Sequence, residues 1–330
     1  MTSMTRRALL RLTGTAAAAL ASRPLAAQQM QTHLPRGVTP KPRGPLVFLD
    51  YDKEELDYAY RQDVWAPNAA EIARRNAQKN AAAVARLGPP TRLRYGQADI
   101  EALDLYATSR TPAPINVHIH GGQWRTGRAA GDAFMAETFV DAGAHFISID
   151  FTNVTETKGD LMPMADQVRR AVAWISRNAP TFGGDPNRLY LSGHSSGAHL
   201  GGAVVTTRWA DYGVPMTIVR GAVLSSGMYD LHPVSLSARS SFVTFTREAV
   251  DALSPQRHLD RLVTPVVIAY GTLETPEFQR QSRDFAAAVR AAGKPVTLIA
   301  GEGYNHFEMR ETFGNPYGLL GRAALAQMRA

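Results

Sequence analysis

The stretch from Arg188 to Leu200 reads RLYLSGHSSGAHL. An apolar run, RLYL, meets Gly193-His194-Ser195-Ser196-Gly197 and leaves through the helix-forming segment SGAHLGGAVV. A G-x-S-x-G pattern at a strand-to-helix turn puts its central serine at the tip of a tight bend. The free N–H groups of the helix N-terminus lie behind it and favour negative charge. The spacing makes Ser195 the candidate nucleophile and lets Ser196 offer its backbone N–H to an oxyanion. Without partners elsewhere, the same letters would describe only a polar turn.

Outward from this point, short β-rich runs alternate with helical ones from about Thr91 onward. RLRYG and EALDLYA alternate polar and apolar residues and predict a hairpin pair. INVHIHGG and HFISIDF predict strands, while DAFMAETFVDAG and MADQVRRAVAWISRNA predict helices, the second with apolar residues at three- and four-residue spacing. VRGAVLSS, PVVIAYG and VTLIAG are apolar without alternation, as strands covered on both faces of a mostly parallel sheet are. Residues 91–330 therefore predict one doubly wound α/β domain, with the strandless segment 229–262 as a small cap. Residues 28–90 combine a Pro- and Gly-rich linker with the helix NAAEIARRNAQKNAAAVARLG, stopped by Gly88-Pro89-Pro90. This segment is expected to pack on the core.

Residues 1–27 predict something else. Arg6 and Arg7 precede a weak apolar run that ends in small residues near Ala26, the layout of a bacterial export signal of twin-arginine type. Arg11 interrupts the run, which is too short for the roughly 20 residues of a membrane span. The expected mature protein has no stable span and lies in the periplasm or outside the cell. Four of the 36 basic residues fall in this leader, so the mature balance is 32 basic to 29 acidic. The remaining charges are interspersed, without a basic tract, which argues against nucleic acid as a partner. There is no cysteine, and hence no disulfide or thiolate chemistry.

Three further signals complete the chemistry. His120-Gly121-Gly122 ends a predicted strand, and its two glycines let backbone N–H groups of Gly121 and Gly122 approach a substrate carbonyl beside Ser196. Each such donor is typically worth about 3 kcal/mol in the transition state. A serine nucleophile needs a base and an orienting carboxylate. Glu274 lies three residues past the strand PVVIAYG, and His306 lies in the loop beyond VTLIAG. Ser195, Glu274 and His306 thus follow one another at strand ends in the order that α/β-hydrolases use. Glu277 and Glu302 are competing acids: the first suits a helix start and the second belongs to the histidine's own loop. His118 and His120 share one face of a strand and could form half of a metal site, but the other histidines are too scattered to complete it. His194 is expected to pack against neighbouring strands, and His199 to form a structural hydrogen bond. Trp124, Tyr229, Tyr304 and Phe307 are the candidate pocket walls.

HGGQW, DQVRRAVAWISRNAPTFGGDPNRLYLSGHSSGAHL, SSGMYDL and GTLETPEFQRQS together resemble the kynurenine formamidase branch of the α/β-hydrolases, beside the hormone-sensitive-lipase-like esterases. LDYDKEELDYAYRQ resembles the N-terminal region of bacterial members, and the resemblance spans roughly residues 47–320. It implies an α/β-hydrolase fold, no cofactor, and hydrolysis of aryl formamides or small esters. By position it puts the nucleophile on Ser195, the acid on Glu274 and the base on His306. It also puts the oxyanion loop on Gly121 and Gly122, Trp124 at the pocket wall, and Tyr229 near the acyl or aryl pocket. The family usually carries Asp where Glu274 stands. Because the chain carries an export signal, the expected activity is that of an esterase or amide hydrolase on external small molecules. A true arylformamidase acting on N-formylkynurenine-like substrates is the alternative, and a non-catalytic binding protein on the same fold is a third.

Overall fold

The computed structural model describes residues 29–329, so the expected export signal lies outside the described residues. A short hairpin, β1 (Leu46–Phe48) and β2 (Tyr51–Asp52), leads into α1 (Lys53–Ala59) and α2 (Ala69–Leu87). The main sheet then forms from β3 (Thr91–Arg94), β4 (Ala102–Tyr106), β5 (Ala113–Ile119), β6 (His145–Ile149), β7 (Gly184–His194), β8 (Val219–Ser225), β9 (Val266–Gly271) and β10 (Val296–Gly301). Its order is β10-β9-β8-β7-β5-β6-β4-β3. The predicted hairpin β3–β4 is antiparallel, and β4 runs antiparallel to β6. Every pairing from β6 across to β10 is parallel.

Between the strands run α3 (Ala133–Val140), α4 (Met162–Asn178), α5 (Ser196–Val205), α6 (Leu231–Ser235), α7 (Arg247–Ala252) and α8 (Pro276–Ala291), with α9 (His306–Glu311) and α10 (Leu319–Arg329) at the end. Side chains alternate across a strand, so each strand feeds two cores. Leu189 and Leu191 join Val168, Leu200 and Phe285 on one face, whereas Tyr190 joins Phe139, Val223 and Leu320 on the other. That double covering explains why the strands read as unbroken apolar runs. The 229–262 segment contains α6, α7 and short 3₁₀ turns. His306 is not in a loop, as the sequence suggested, but is the first residue of α9.

The N-terminal segment is fastened to the sheet's C-terminal edge. α2 packs on α3, Tyr60 donates its hydroxyl to Glu277 (2.8 Å), and the Thr275 hydroxyl donates to the Ala59 carbonyl (2.6 Å).

Candidate active site

Strand β7 ends at His194 and α5 begins at Ser196, so Ser195 alone makes the turn. Its φ of 58° and ψ of −125° fall where a side chain is strained, at a cost on the order of 1–3 kcal/mol. Two bonds hold it there: the Ser195 N–H donates to the Ser225 carbonyl (2.9 Å), and the His199 N–H donates to the Ser195 carbonyl (3.1 Å). The flanking glycines serve space. A Cβ on Gly197 would stand 2.0 Å from the Ile119 carbonyl oxygen, and one on Gly193 would stand 2.7 Å from the Gly197 carbonyl oxygen. Only glycine lets α5 start this close to β5.

Glu274 follows β9 through a turn closed by its own carboxylate, which accepts the Gly271 N–H (2.7 Å). Thr275 caps α8 immediately afterwards, with Pro276 in the first turn. The same carboxylate oxygen accepts the Ser226 hydroxyl (2.6 Å), and the other oxygen meets His306 Nδ1 at 2.9 Å. His306 is fixed by its helix: Asn305 caps α9 in a capping box with Glu308. His194 Nε2 donates to the His306 carbonyl (2.8 Å), and the two imidazoles lie 4.5 Å apart. Phe278 and Phe307 set their rings edge-on to His306.

Burial dominates the electrostatics of this pair. It pushes the Glu274 carboxyl up to about 7, against the lowering hydrogen bonds from Ser226 and Gly271. It pushes His306 down to about 3, aided by the positive charge of Arg239. The imidazole is therefore neutral at neutral pH and can accept a proton. Among the described residues no hydrogen bond reaches the Ser195 hydroxyl or His306 Nε2, so both atoms are uncommitted.

The loop after β5 brings Gly121 against the serine. A Cβ there would lie 2.8 Å from the His194 carbonyl oxygen and 3.1 Å from Ser195 Cβ. Gly122, Gln123 and Trp124 all take positive φ, which turns this loop sharply. The N–H groups of Gly121 and Gly122 have no turn or loop acceptor among the described residues. The Ser196 N–H lies at the first helical position, where helix geometry leaves it without an acceptor. Ser196 has a second use: its hydroxyl accepts the Trp124 N–H (3.2 Å) and ties the loop to the elbow.

The pocket residues divide. Phe307 stays beside His306. Trp124 is buried over His199, to which its indole N–H donates (3.1 Å), while His199 Nε2 donates to the Leu253 carbonyl (2.8 Å). Tyr229, expected at the pocket wall, instead stacks on Phe285 at 4.2 Å in the apolar core. Tyr304 packs with the opposite core, and the cavity it lines, with Arg75 and Glu311, excludes the serine. Beside the acid, a cleft of about 490 Å³ is lined by Trp65, Asn68, Glu274 and Asn305. Glu277 is held by Tyr60 and Arg280, and among the described residues Glu302 meets only the Thr272 hydroxyl, so neither reaches His306. His118 bonds Ser192 and His120 stacks on Phe151; among the described residues they belong to no metal-type cluster. His194, expected to pack against neighbouring strands, also donates to the His306 carbonyl. Ser226, Asn68 and Arg239 escaped the sequence reading. Only Ser226 left a signal, as the polar end of VRGAVLSS.

The BD-FAE family profile matches residues 103–211. Kynurenine formamidase of Danio rerio is 30% identical over 286 residues, covering 83% of this chain and 95% of the relative. The chain belongs to the kynurenine formamidase family. A second member, from Salmo salar, is 30% identical over 80% of the chain and 92% of its own length. Esterase LipQ of Mycobacterium tuberculosis is 26% identical over 73% of the chain and 64% of its own length. Among solved structures, esterase LipW from Mycobacterium marinum superposes with a TM-score of 0.64 at 18% identity, covering 82% of this chain and 90% of that one. This kynurenine formamidase-family chain is an α/β-hydrolase of the esterase and formamidase type. Among the described residues, no helix is long and apolar enough to cross a membrane.

Proposed function

We propose that the protein is a serine hydrolase that cleaves carboxylic ester, aryl formamide or amide bonds in small molecules through Ser195, His306 and Glu274. The observation that carries this is the 2.9 Å His306–Glu274 bond, on helix and strand ends next to a serine held at φ 58° beside Gly121. His306 takes the proton of Ser195 as its oxygen attacks the carbonyl, while Glu274 holds the tautomer and stabilises the imidazolium. N–H groups of Gly121, Gly122 and Ser196 receive the oxyanion. His306 then protonates the leaving alcohol or amine and activates water against the acyl-enzyme. Residues 1–27 direct export to the periplasm or beyond, so the substrates are external compounds.

The test is a panel of p-nitrophenyl esters of rising acyl length set against N-formylkynurenine, with Ser195→Ala as control. Ester turnover at least a thousandfold above the alanine variant is expected, together with fluorophosphonate labelling of Ser195. Wild-type rates in Ser195→Ala would overturn the assignment. The second reading, formamidase action on N-formylkynurenine itself, draws on the match to the fish enzymes over more than nine-tenths of their length. Formylkynurenine turnover with poor ester activity would favour it. Mass analysis of the periplasmic protein, starting near Gln28, tests export.

A further inference from the structure

Arg239 sits in a 3₁₀ turn between β8 and β9, Ala238–Ser241, and is 3% exposed. Its Nη2 donates to the Tyr60 carbonyl (3.0 Å), and its guanidinium lies over the Trp124 ring at 5.5 Å. Among the described residues Nε and Nη1 have no hydrogen-bond partner. Since Nη2 can commit only one of its two N–H groups to Tyr60, one two-pronged edge of the guanidinium stays open.

Other well-shielded arginines of the chain are matched. Arg280 meets Glu277 and Asp284, and Arg310 meets Asp132. Arg239 forms no salt bridge among the described residues. Asp63 acts on it only through space and is itself exposed and paired to Arg61 (3.0 Å). A buried cation without a counter-ion is strongly unfavourable, and burial accordingly lowers the Arg239 pKa to about 10. The position makes sense of it. Arg239 touches the tryptophan that ends the oxyanion loop, and its charge reaches His306. Arg239 and the elbow thus share Trp124: the guanidinium lies over its ring, and the Ser196 hydroxyl next to Ser195 accepts its backbone N–H (3.2 Å).

We propose that Arg239 is a specificity residue that binds a carboxylate carried by the substrate, so that the preferred substrates are anionic esters or formamides. A carboxylate matches the planar fork with two parallel N–H···O bonds, which a neutral group or a lysine in this place would not reproduce. This rests on the serine-hydrolase reading above and names the substrate class of that site.

Two matched pairs test it on the full chain and locate the carboxylate. One pair, p-nitrophenyl hydrogen adipate and its methyl ester, carries the charge on the acyl side. The other, 2-formamidobenzoate and its methyl ester, carries it on the leaving-group side. Wild type is expected to prefer the charged member of at least one pair by tenfold or more in kcat/KM. Arg239→Gln is expected to bring that ratio close to one, mainly through KM, with Arg239→Lys between them. No preference in either pair, or a preference that survives Arg239→Gln, overturns the proposal. Should Arg239→Gln fail to fold by circular dichroism, wild-type inhibition decides. Benzoate is expected to inhibit neutral-ester turnover at a tenfold lower concentration than benzamide, and equal inhibition counts against the carboxylate site. Ser195-dependent turnover of the neutral esters without charge preference sinks this inference alone, whereas wild-type rates in Ser195→Ala sink the reading beneath it.

Discussion

Glu274 is the residue on which the pH behaviour turns. Its carboxyl, raised to about 7 by burial, must be ionised to stabilise an imidazolium, whereas His306 stays neutral well below that. On the proposed mechanism kcat/KM rises with pH through about 7, and the limb belongs to the coupled pair. Ser226 donates to the ionised carboxylate and so lowers its pKa. Ser226→Ala is therefore expected to move the limb to higher pH, measured as kcat/KM from pH 5 to 9. Glu274→Gln presents an amide N–H to Nδ1, forcing the imidazole into the tautomer that cannot accept the serine proton. A loss of about 10³–10⁴ in kcat is expected. The raised carboxyl pKa has a second sign: folding opposes ionisation, so stability falls as pH rises from the ordinary carboxyl range to about 7. At pH 8 the uncharged Gln variant should thus be more stable, by on the order of 1–3 kcal/mol, in a denaturant melt.

At the scale of elements, the contact between β5, its glycine loop and the start of α5 decides whether the site can exist. A methyl on Gly197 would enter the Ile119 carbonyl. Gly197→Ala is expected to cost 3 kcal/mol or more, on the order of a severe packing clash, and to reduce soluble yield. Ser196→Ala removes the tie between the elbow and the glycine loop after β5 and leaves the elbow itself. A kcat loss on the order of tenfold is expected, with little change in melting temperature, because the Trp124 N–H no longer holds the loop's approach. Strand and helix periodicity made these elements legible, and with them Ser195, Glu274 and His306 in their order. The start of α9 was missed, although Asn305 and Glu308 form an N-x-x-E capping signal. Tyr229 was misplaced because an aromatic after a strand end reads the same whether its ring turns to a pocket or to Phe285.

Across the whole molecule, the parts invisible in the sequence are those made by distant pairs. No spacing rule joins Asn68 to Asn305 or Tyr60 to Glu277, and nothing local announces that the Arg239 side chain lies buried beside Trp124. Asn68 bonds both Asn305 (2.8 Å) and Glu308 (2.8 Å), bracing the capping box that presents His306. Asn68→Ala is expected to lower stability by about 1–2 kcal/mol and to reduce kcat severalfold, with a calorimetric scan and ester kinetics as the readouts. These contacts also set a schedule. Tyr60 and Asn68 leave the ribosome more than two hundred residues before the partners they brace, at separations of 217 and 237. Contacts so far apart are slow to form. The machinery that would attack a carbonyl therefore stays unassembled until nearly the last helix has been synthesised, and a nascent or truncated chain carries its serine without the power to use it.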